Sequence, residues 1–452
     1  MRFRTTLMLA LVLVLGILGV VYLDKQDQSR EEHGKESAKI LSYSGDQVLG
    51  ISLLPAGIQA ERDGDGWKLL APVQTGGDKT SLDAIASLFS WAKKERIVST
   101  EAGEYPSFGL LPPRATLILN RAGGNDTLFI GDDSQIGSFV YARKAGSPEV
   151  FLTTISLWSN INKTLFDLRD KNLLVFEQSL TDRLEIKNAQ GLFTLSREGE
   201  VWQLLSPREC RADSRKVTEL LNALQYQKAA RFVEEDPRDL ESYGLKRPVL
   251  EVRVGSPASN GLLTLSIGSF KEGSYFARNN VQPPLLAVDS AFVNRLQIGL
   301  DELRDKTMLR FNSAAVNAME LTAGDTTYIC RKDTAGNWRM HQPVIGAVRS
   351  WKMTGLLSDL ASAAAEAFAA DEPASLRPFG LDQPQLRCRL IEEEGAVAEF
   401  LVGRRQDTAT LYAMTGGGRT VFMIRNDLFD KLNLRSTDLL ESSPADPVAS
   451  PE

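Results

Sequence analysis

The chain carries Arg2 and Arg4 and then runs without a charge from Leu7 to Leu23, a stretch of 17 residues. At ~1.5 Å per residue the run would form a helix of ~26 Å, the short end of what crosses a bilayer. The flank behind it, Asp24 to Glu36, mixes Lys25, Arg30 and Lys35 with acids. The bias of basic residues toward the first flank predicts a cytoplasmic N-terminus and an exported remainder. A removed signal peptide would need small residues after the apolar core, and Val20-Val21-Tyr22-Leu23-Asp24-Lys25-Gln26 offers none. No cysteine stands nearby to accept a lipid. Residues 1–36 are therefore expected to form a cytoplasmic start, an uncleaved transmembrane helix over 7–23 and a charged stalk.

Behind the stalk the pattern changes to short alternations and single helical stripes. Leu82, Ile85, Ala86 and Phe89 follow the i, i+3, i+4, i+7 spacing of one helix face. Val217, Leu220, Leu221 and Leu224 repeat it, as do Met353, Leu356, Leu357 and Leu360. Ser81, Ser214 and Ser350 stand at the starts, where a side-chain oxygen can cap free amides. Before each stripe come two short strands around a polar turn, as in Gly191 to Leu195 and Trp202 to Leu205. After it come alternating strands such as Leu263-Thr264-Leu265-Ser266-Ile267, then a closing helix over Leu157 to Leu168, Phe292 to Leu303 or Leu428 to Leu434. The predicted order is β-β-α-β-β-β-β-α, an α+β unit with helices on one face of an antiparallel sheet.

That unit occurs three times. Trp67, Trp202 and Trp338 are separated by 135 and 136 residues, and each has a proline five residues on, at Pro72, Pro207 and Pro343. Phe108-Gly109-Leu110, Tyr243-Gly244-Leu245 and Phe379-Gly380-Leu381 keep the same intervals, each with a proline four residues past the glycine, at Pro113, Pro248 and Pro384. Ile130-Gly131, Ile267-Gly268 and Val402-Gly403 follow, then the aromatics Tyr141, Phe276 and Tyr412. Leu168-Arg169-Asp170-Lys171 returns as Leu303-Arg304-Asp305-Lys306. A period this long marks three tandem repeats, each large enough for its own core. Their expected bounds are 37–171, 172–306 and 307–440, with 441–452 a disordered tail rich in proline, serine and acid. No glycine, serine or proline linker separates them, so consecutive repeats are expected to pack together into an elongated body.

These landmarks carry a resemblance. Gly66-Trp67-Lys68-Leu69-Leu70-Ala71-Pro72, Tyr243-Gly244-Leu245-Lys246-Arg247-Pro248 and Tyr141-Ala142-Arg143 resemble the motifs of the bacterial family known as domain of unknown function 4340. The likeness covers nearly everything from about residue 40 to 440. It implies a membrane-anchored envelope protein, often associated with ABC-type transport systems of the gliding-motility kind. The third repeat departs from the pattern: Leu434-Arg435-Ser436-Thr437 stands for the Leu-Arg-Asp-Lys ending, and Met414 stands where Arg143 and Arg278 stand. Such departures are expected of a terminal repeat.

Composition narrows the partners. The chain has 452 residues, 43% hydrophobic and 24% charged, within the range of folded domains. Its formal charge of −6 becomes −8 once Arg2 and Arg4 are set aside, which argues against nucleic acid and against docking on anionic lipid. The three cysteines, Cys210, Cys330 and Cys388, form no disulfide framework. The alternation Leu386-Arg387-Cys388-Arg389-Leu390 turns Cys388 inward, whereas Cys330 is expected in the opposite phase with Ile329 inward, so a bridge between them is disfavoured. All three are expected to stay unpaired.

No catalytic, cofactor-binding or metal-binding residues are predicted. His33 and His341 are the two histidines, and His341 stands where the other repeats have Leu70 and Leu205, as a half-buried strand residue does. Asp63-Gly64-Asp65-Gly66 begins like a calcium loop but continues with Trp67 and puts Gln74 where a bidentate glutamate is needed, so it reads as a hairpin turn. No P-loop run exists, and Gly416-Gly417-Gly418 reads as hairpin punctuation. Glu234-Glu235-Asp236 and Glu392-Glu393-Glu394 read as solvated charge. Arg169 with Asp170, and Arg304 with Asp305, are expected to fasten neighbouring repeats. The expectation is a non-enzymatic, single-pass protein of the bacterial inner (cytoplasmic) membrane with its bulk in the periplasm. It would act as an accessory or scaffold subunit whose protein partners belong to an ABC-type transport complex. One alternative is a module binding an envelope polymer or ligand through exposed aromatics, although Trp67, Trp202 and Trp338 read as core. A lesser alternative is a hydrolase with catalytic residues dispersed along the chain.

Overall fold

The computed structural model describes residues 39–441 apart from 42, 257–260 and 394. The predicted membrane segment over 7–23, most of the stalk and nearly all of the tail lie outside those residues. Among the described residues no helix is long and apolar enough to cross a membrane.

In the first repeat, β1 (Gly50–Leu54), β2 (Ile58–Asp63), β3 (Gly66–Ala71) and the two-residue β4 (Thr75–Gly76) precede helix α1 (Lys79–Trp91). Then come β5 (Arg96–Ser99), β6 (Ala115–Arg121), β7 (Gly124–Asp133), β8 (Phe139–Lys144), β9 (Val150–Thr154), α2 (Ile155–Ile161) and α3 (Leu165–Leu168). The strands form one antiparallel sheet in the order β4-β3-β2-β1-β6-β7-β8-β9-β5, and two further nine-stranded sheets repeat that order. The α+β class and the threefold repetition hold. By packing, the chain divides into two compact units: Met1–Leu173 with Lys228–Pro237 and Pro284–Val288, and Leu174–Gln227 with Arg238–Pro283 and Asp289–Glu452.

Each sheet has nine strands where the pattern predicts six. The additions are the opening strand, the two-residue strand and β5 with its equivalents. β5 has no alternation to read, its first two residues being exposed and its last two partly covered. Arg183–Asn188, which corresponds to β1, does alternate through Leu184 and Ile186, so its signal was present. The predicted closing helix is two helices. Thr164 caps α3 by accepting from the Asp167 amide at 3.2 Å while Asp167 Oδ2 accepts from the Thr164 amide at 2.8 Å. In the other two repeats only the carboxylate half recurs: Glu302 accepts from the Gly299 amide (3.0 Å) and Asp438 from the Arg435 amide (2.8 Å). The long helices are capped by Asp78 and Asp213, which accept from the amides of Ser81 (2.9 Å) and Lys216 (3.1 Å). The predicted serine caps already lie inside the first turn, and Arg349 precedes the third helix without a side-chain cap.

The spaced landmarks prove to be parts of one packing arrangement. Trp67, Trp202 and Trp338 are buried, and the Trp67 indole donates to Asp83 Oδ1 at 2.9 Å. Gly109, Gly244 and Gly380 take φ of 65°, 73° and 67°, a left-handed turn that only glycine adopts cheaply. That turn aims the preceding carbonyl at the second glycine: a Cβ on Gly131, Gly268 or Gly403 would sit 2.0, 2.0 or 2.2 Å from the carbonyl oxygen of Phe108, Tyr243 or Phe379. The aromatic ring of the turn then packs on the later aromatic, with centroids 4.8 Å apart for Phe108–Tyr141 and Tyr243–Phe276 and 5.0 Å for Phe379–Tyr412. Three motifs spread over some thirty residues are one contact.

Both buried cysteines of the third repeat face the same core, contrary to the predicted phase of Cys330. Cys330 pairs with Met319 and Cys388 with Leu321, so one strand, Ala318–Ala323, stands between them. That spacing of two strand widths, ~9.6 Å, leaves the thiols unbridged. The turn Asp63 to Gly66 links β2 to β3, and Gly416 to Gly418 lies between strands Thr410–Thr415 and Thr420–Arg425, both as hairpin turns.

Candidate functional site

The chain leaves α3 through Arg169, whose side chain is 2% exposed. Its guanidinium donates to both carboxylate oxygens of Glu235, Nη1 to Oε1 at 2.6 Å and Nη2 to Oε2 at 3.0 Å, and lies 3.5 Å over the ring of Phe232. Arg304 repeats the arrangement with Asp371, at 3.0 and 2.8 Å, and stacks 3.6 Å over Phe368. In each case the arginine ending one repeat is gripped by the strand that follows the long helix of the next. A bidentate, ring-stacked guanidinium needs arginine rather than lysine.

Phe232 and Glu235 are three residues apart, as are Phe368 and Asp371, which in a regular strand would put them on opposite faces. A β-bulge lies between the two members of each set, within strands Arg231–Glu234 and Ala367–Asp371. The extra residue brings ring and carboxylate to one side. The expected fastening by Arg169 and Arg304 is therefore present, but through partners the sequence reading missed: Glu235 is 47% exposed, as its place in an acidic run suggests, and is nonetheless paired with Arg169. Asp170 and Asp305 accept from the amides of Asn172 and Thr307, each at 2.9 Å, and Asp305 also pairs with Arg211 at 3.4 Å and with Arg310.

At the second joint Asp371 also accepts from Thr420 Oγ1 at 3.0 Å and pairs with Arg208 at 3.3 Å. Burial alone would push its carboxyl up, but the hydrogen bonds from Arg304 and Thr420 and the charges of Arg304 and Arg208 outweigh that, and it titrates below the usual carboxylate range. A depressed folded-state value stabilises the fold above the unfolded value of ~3.9 and is lost as pH falls through the lower folded value. Asp371→Asn should therefore be less stable than the parent at pH 6, with the difference shrinking by pH 2.5. Urea midpoints across that range check this, and a pH-independent difference would contradict it.

Hydrogen-bonded bridges fix the register of the third repeat. Gly77 pairs with Arg169, Ala212 with Arg304 and Val348 with Leu440. The ending equivalent to Leu168-Arg169 is thus Leu439-Leu440, not the predicted Leu434-Arg435. The same register sets Val344, Ile345 and Trp351 of the third repeat against Arg208, Glu209 and Arg215 of the second. Val344, Ile345 and Trp351 are 51%, 78% and 69% exposed. Arg208 pairs with Asp371 and Glu372 at the joint, whereas its counterpart Val344 and the neighbouring Ile345 are open to solvent.

Other candidate groups are dispersed. His341 is exposed, not half-buried, on strand Trp338–Gln342. The three repeated tryptophans lie in cores and build no surface groove. Burial pushes the Cys330 thiol up to about 11 and the Cys388 thiol up to about 12, so neither is a ready nucleophile. Among the described residues no group of three histidine, cysteine or acidic side chains could hold a metal ion.

The family model for a domain of unknown function, DUF4340, matches residues 67–203, 202–369 and 338–449. No curated protein matches the chain. Among solved structures, the DNA polymerase III subunit beta from Pseudomonas aeruginosa is similar at 8% identity over 86% of this chain and 94% of its own, with a TM-score of 0.14. A DNA polymerase sliding clamp with ligand from the same organism gives 9%, 86%, 94% and 0.13. Likeness at that level carries no argument.

Proposed function

Because the chain belongs to the DUF4340 family, a domain of unknown function, we propose its role from the repeat surfaces: a non-enzymatic, membrane-tethered scaffold subunit outside the cytoplasm. The tether is the apolar run Leu7 to Leu23, with the basic flank on its cytoplasmic side. The partners are protein subunits of an envelope assembly, and the family resemblance makes an ABC-type transport complex the first to test.

One observation carries this reading. At the joint between the second and third repeats, Arg208 and Arg304 hold Asp371, and Arg208 also reaches Glu372 at 3.6 Å. The third repeat presents the same face with Val344, Ile345, Trp351 and Leu440 in place of the charges. Replacing charges by an exposed tryptophan and two exposed branched aliphatics gives the composition of an interface centre, where tryptophan is enriched and charge depleted.

The test is purification of the full-length chain from membranes, with co-purifying transporter subunits quantified. The double variant Ile345→Glu/Trp351→Glu should lower their recovery ~10-fold or more, since loss of an interface anchor commonly costs ~2 kcal/mol. Undiminished recovery, or a parent protein that brings no transporter subunit, would refute the scaffold role.

A further inference from the structure

The three repeats fill one equivalent place in three ways. In the first, Arg143 lies between the rings of Tyr105 and Phe129, at 4.5 and 4.4 Å. In the third, Met414 and Leu401 are buried with Leu381 and Val421 in a small apolar core, with Leu376 against it. In the second, the residues at those places are Leu240, Ser266 and Arg278. Strand pairing confirms the equivalence: Phe129 faces Arg143, Ser266 faces Arg278 and Leu401 faces Met414. Serine replaces a phenylalanine or leucine, and leucine replaces a tyrosine, so the arginine keeps its position but loses both covering rings.

The result is a cavity of about 450 Å³. Leu240, Leu245 and Val281 line its apolar side, and Thr264, Ser266 and Arg278 its polar side. The size falls within the ~300–1,000 Å³ of small-molecule sites. Arg278 is half-buried, its Nε is buried without a hydrogen-bond partner as are those of Arg143 and Arg169, and among the described residues no carboxylate pairs with it and no ring stacks on it. A guanidinium has five donors and no acceptor, and leaving a buried donor unpaired is unfavourable. The other buried arginines named above each have a ring, a carboxylate or both.

The geometry points to a ligand site in the second repeat for a small organic oxyanion, a carboxylate or phosphate monoester with a short apolar portion. The oxyanion lies on Arg278, where two parallel N–H donors match two oxygens, with the hydroxyls of Thr264 and Ser266 within the same wall. The apolar portion lies against Leu240, Leu245 and Val281. This site is separate from the joint faces and does not depend on the scaffold role.

The test uses the full chain in lipid nanodiscs, with empty nanodiscs subtracted, and butyrate, butyl phosphate and inorganic phosphate as probes in ligand-observed NMR titrations. At least one of the two organic probes should bind, more tightly than inorganic phosphate, and the stronger one identifies the head group. Arg278→Met, which copies Met414, should weaken binding at least 10-fold. Ser266→Phe, which copies Phe129, should abolish binding by filling the cavity while the melting temperature stays near that of the parent. Arg278→Lys, keeping the charge without the fork, should bind with intermediate strength. No binding by the parent overturns the proposal, as does unchanged binding by Arg278→Met or Ser266→Phe. Inorganic phosphate binding as tightly as butyl phosphate would overturn the organic part of it.

Discussion

Replacing Asp371 by alanine is expected to destabilise the chain by ~3 kcal/mol, because it leaves the Arg304 guanidinium buried without its bidentate partner. Breaking a buried pair from one side generally costs ~3–5 kcal/mol. The lower figure applies because Asp371 is itself 25% exposed, and Asp301 remains 3.5 Å from Arg304 as a weak substitute. The double variant Arg304→Leu/Asp371→Thr copies Leu440 and Thr100, the residues found at those positions in the third and first repeats. It removes both charges together, so its loss should be well below that of Asp371→Ala alone. Urea midpoints of the parent, Arg304→Leu, Asp371→Thr and the double form the cycle. Additive losses would mean that the two side chains do not act as a pair.

A comparable loss, ~3 kcal/mol, is expected for Gly268→Ala. The added methyl would lie 2.0 Å from the Tyr243 carbonyl oxygen, and that oxygen is held in place by the Ser269 amide at 2.8 Å. Overfilling a packed site costs ~1–3 kcal/mol, and the upper end applies because the obstacle is backbone that cannot rotate away. Gly103→Ala is the control: a Cβ there meets nothing within 4 Å, and the change should stay within ~0.5 kcal/mol. Thermal melts followed by tryptophan fluorescence distinguish the two. Equal melting temperatures for both variants would show that the Gly268 contact is not tight.

Much of the basis for the Gly268 contact is legible in the sequence as a pattern. The aromatic-Gly-Leu and Ile-Gly pairs kept their interval three times, which marked them as structural without saying that they touch. Arg169 and Arg304 were likewise marked by their recurrence at the repeat ends. Their partners were not, because Glu235 sits in a run of acids and Asp371 follows Phe368-Ala369-Ala370, with no periodic signal. Only a bulge makes three-residue spacing equivalent to one face, and a bulge leaves no trace in the alternation of side chains. The misplacement of the third ending at Leu434 had a related cause. Leu-Arg recurs there by letter, while the strand register puts Leu439-Leu440 at the equivalent place.

The amino-acid order alone determined that the fold is α+β, that it is repeated three times, and which tryptophans, glycines and helix faces build each core. Those follow from periodicity and steric need, which are local properties of the chain. The partners of the two arginines, the open apolar face on the third repeat and the cavity beside Arg278 were decided only in three dimensions. Each depends on which side chains from distant strands arrive at one point, and whether a neighbour fills that space is a matter of packing rather than of sequence spacing.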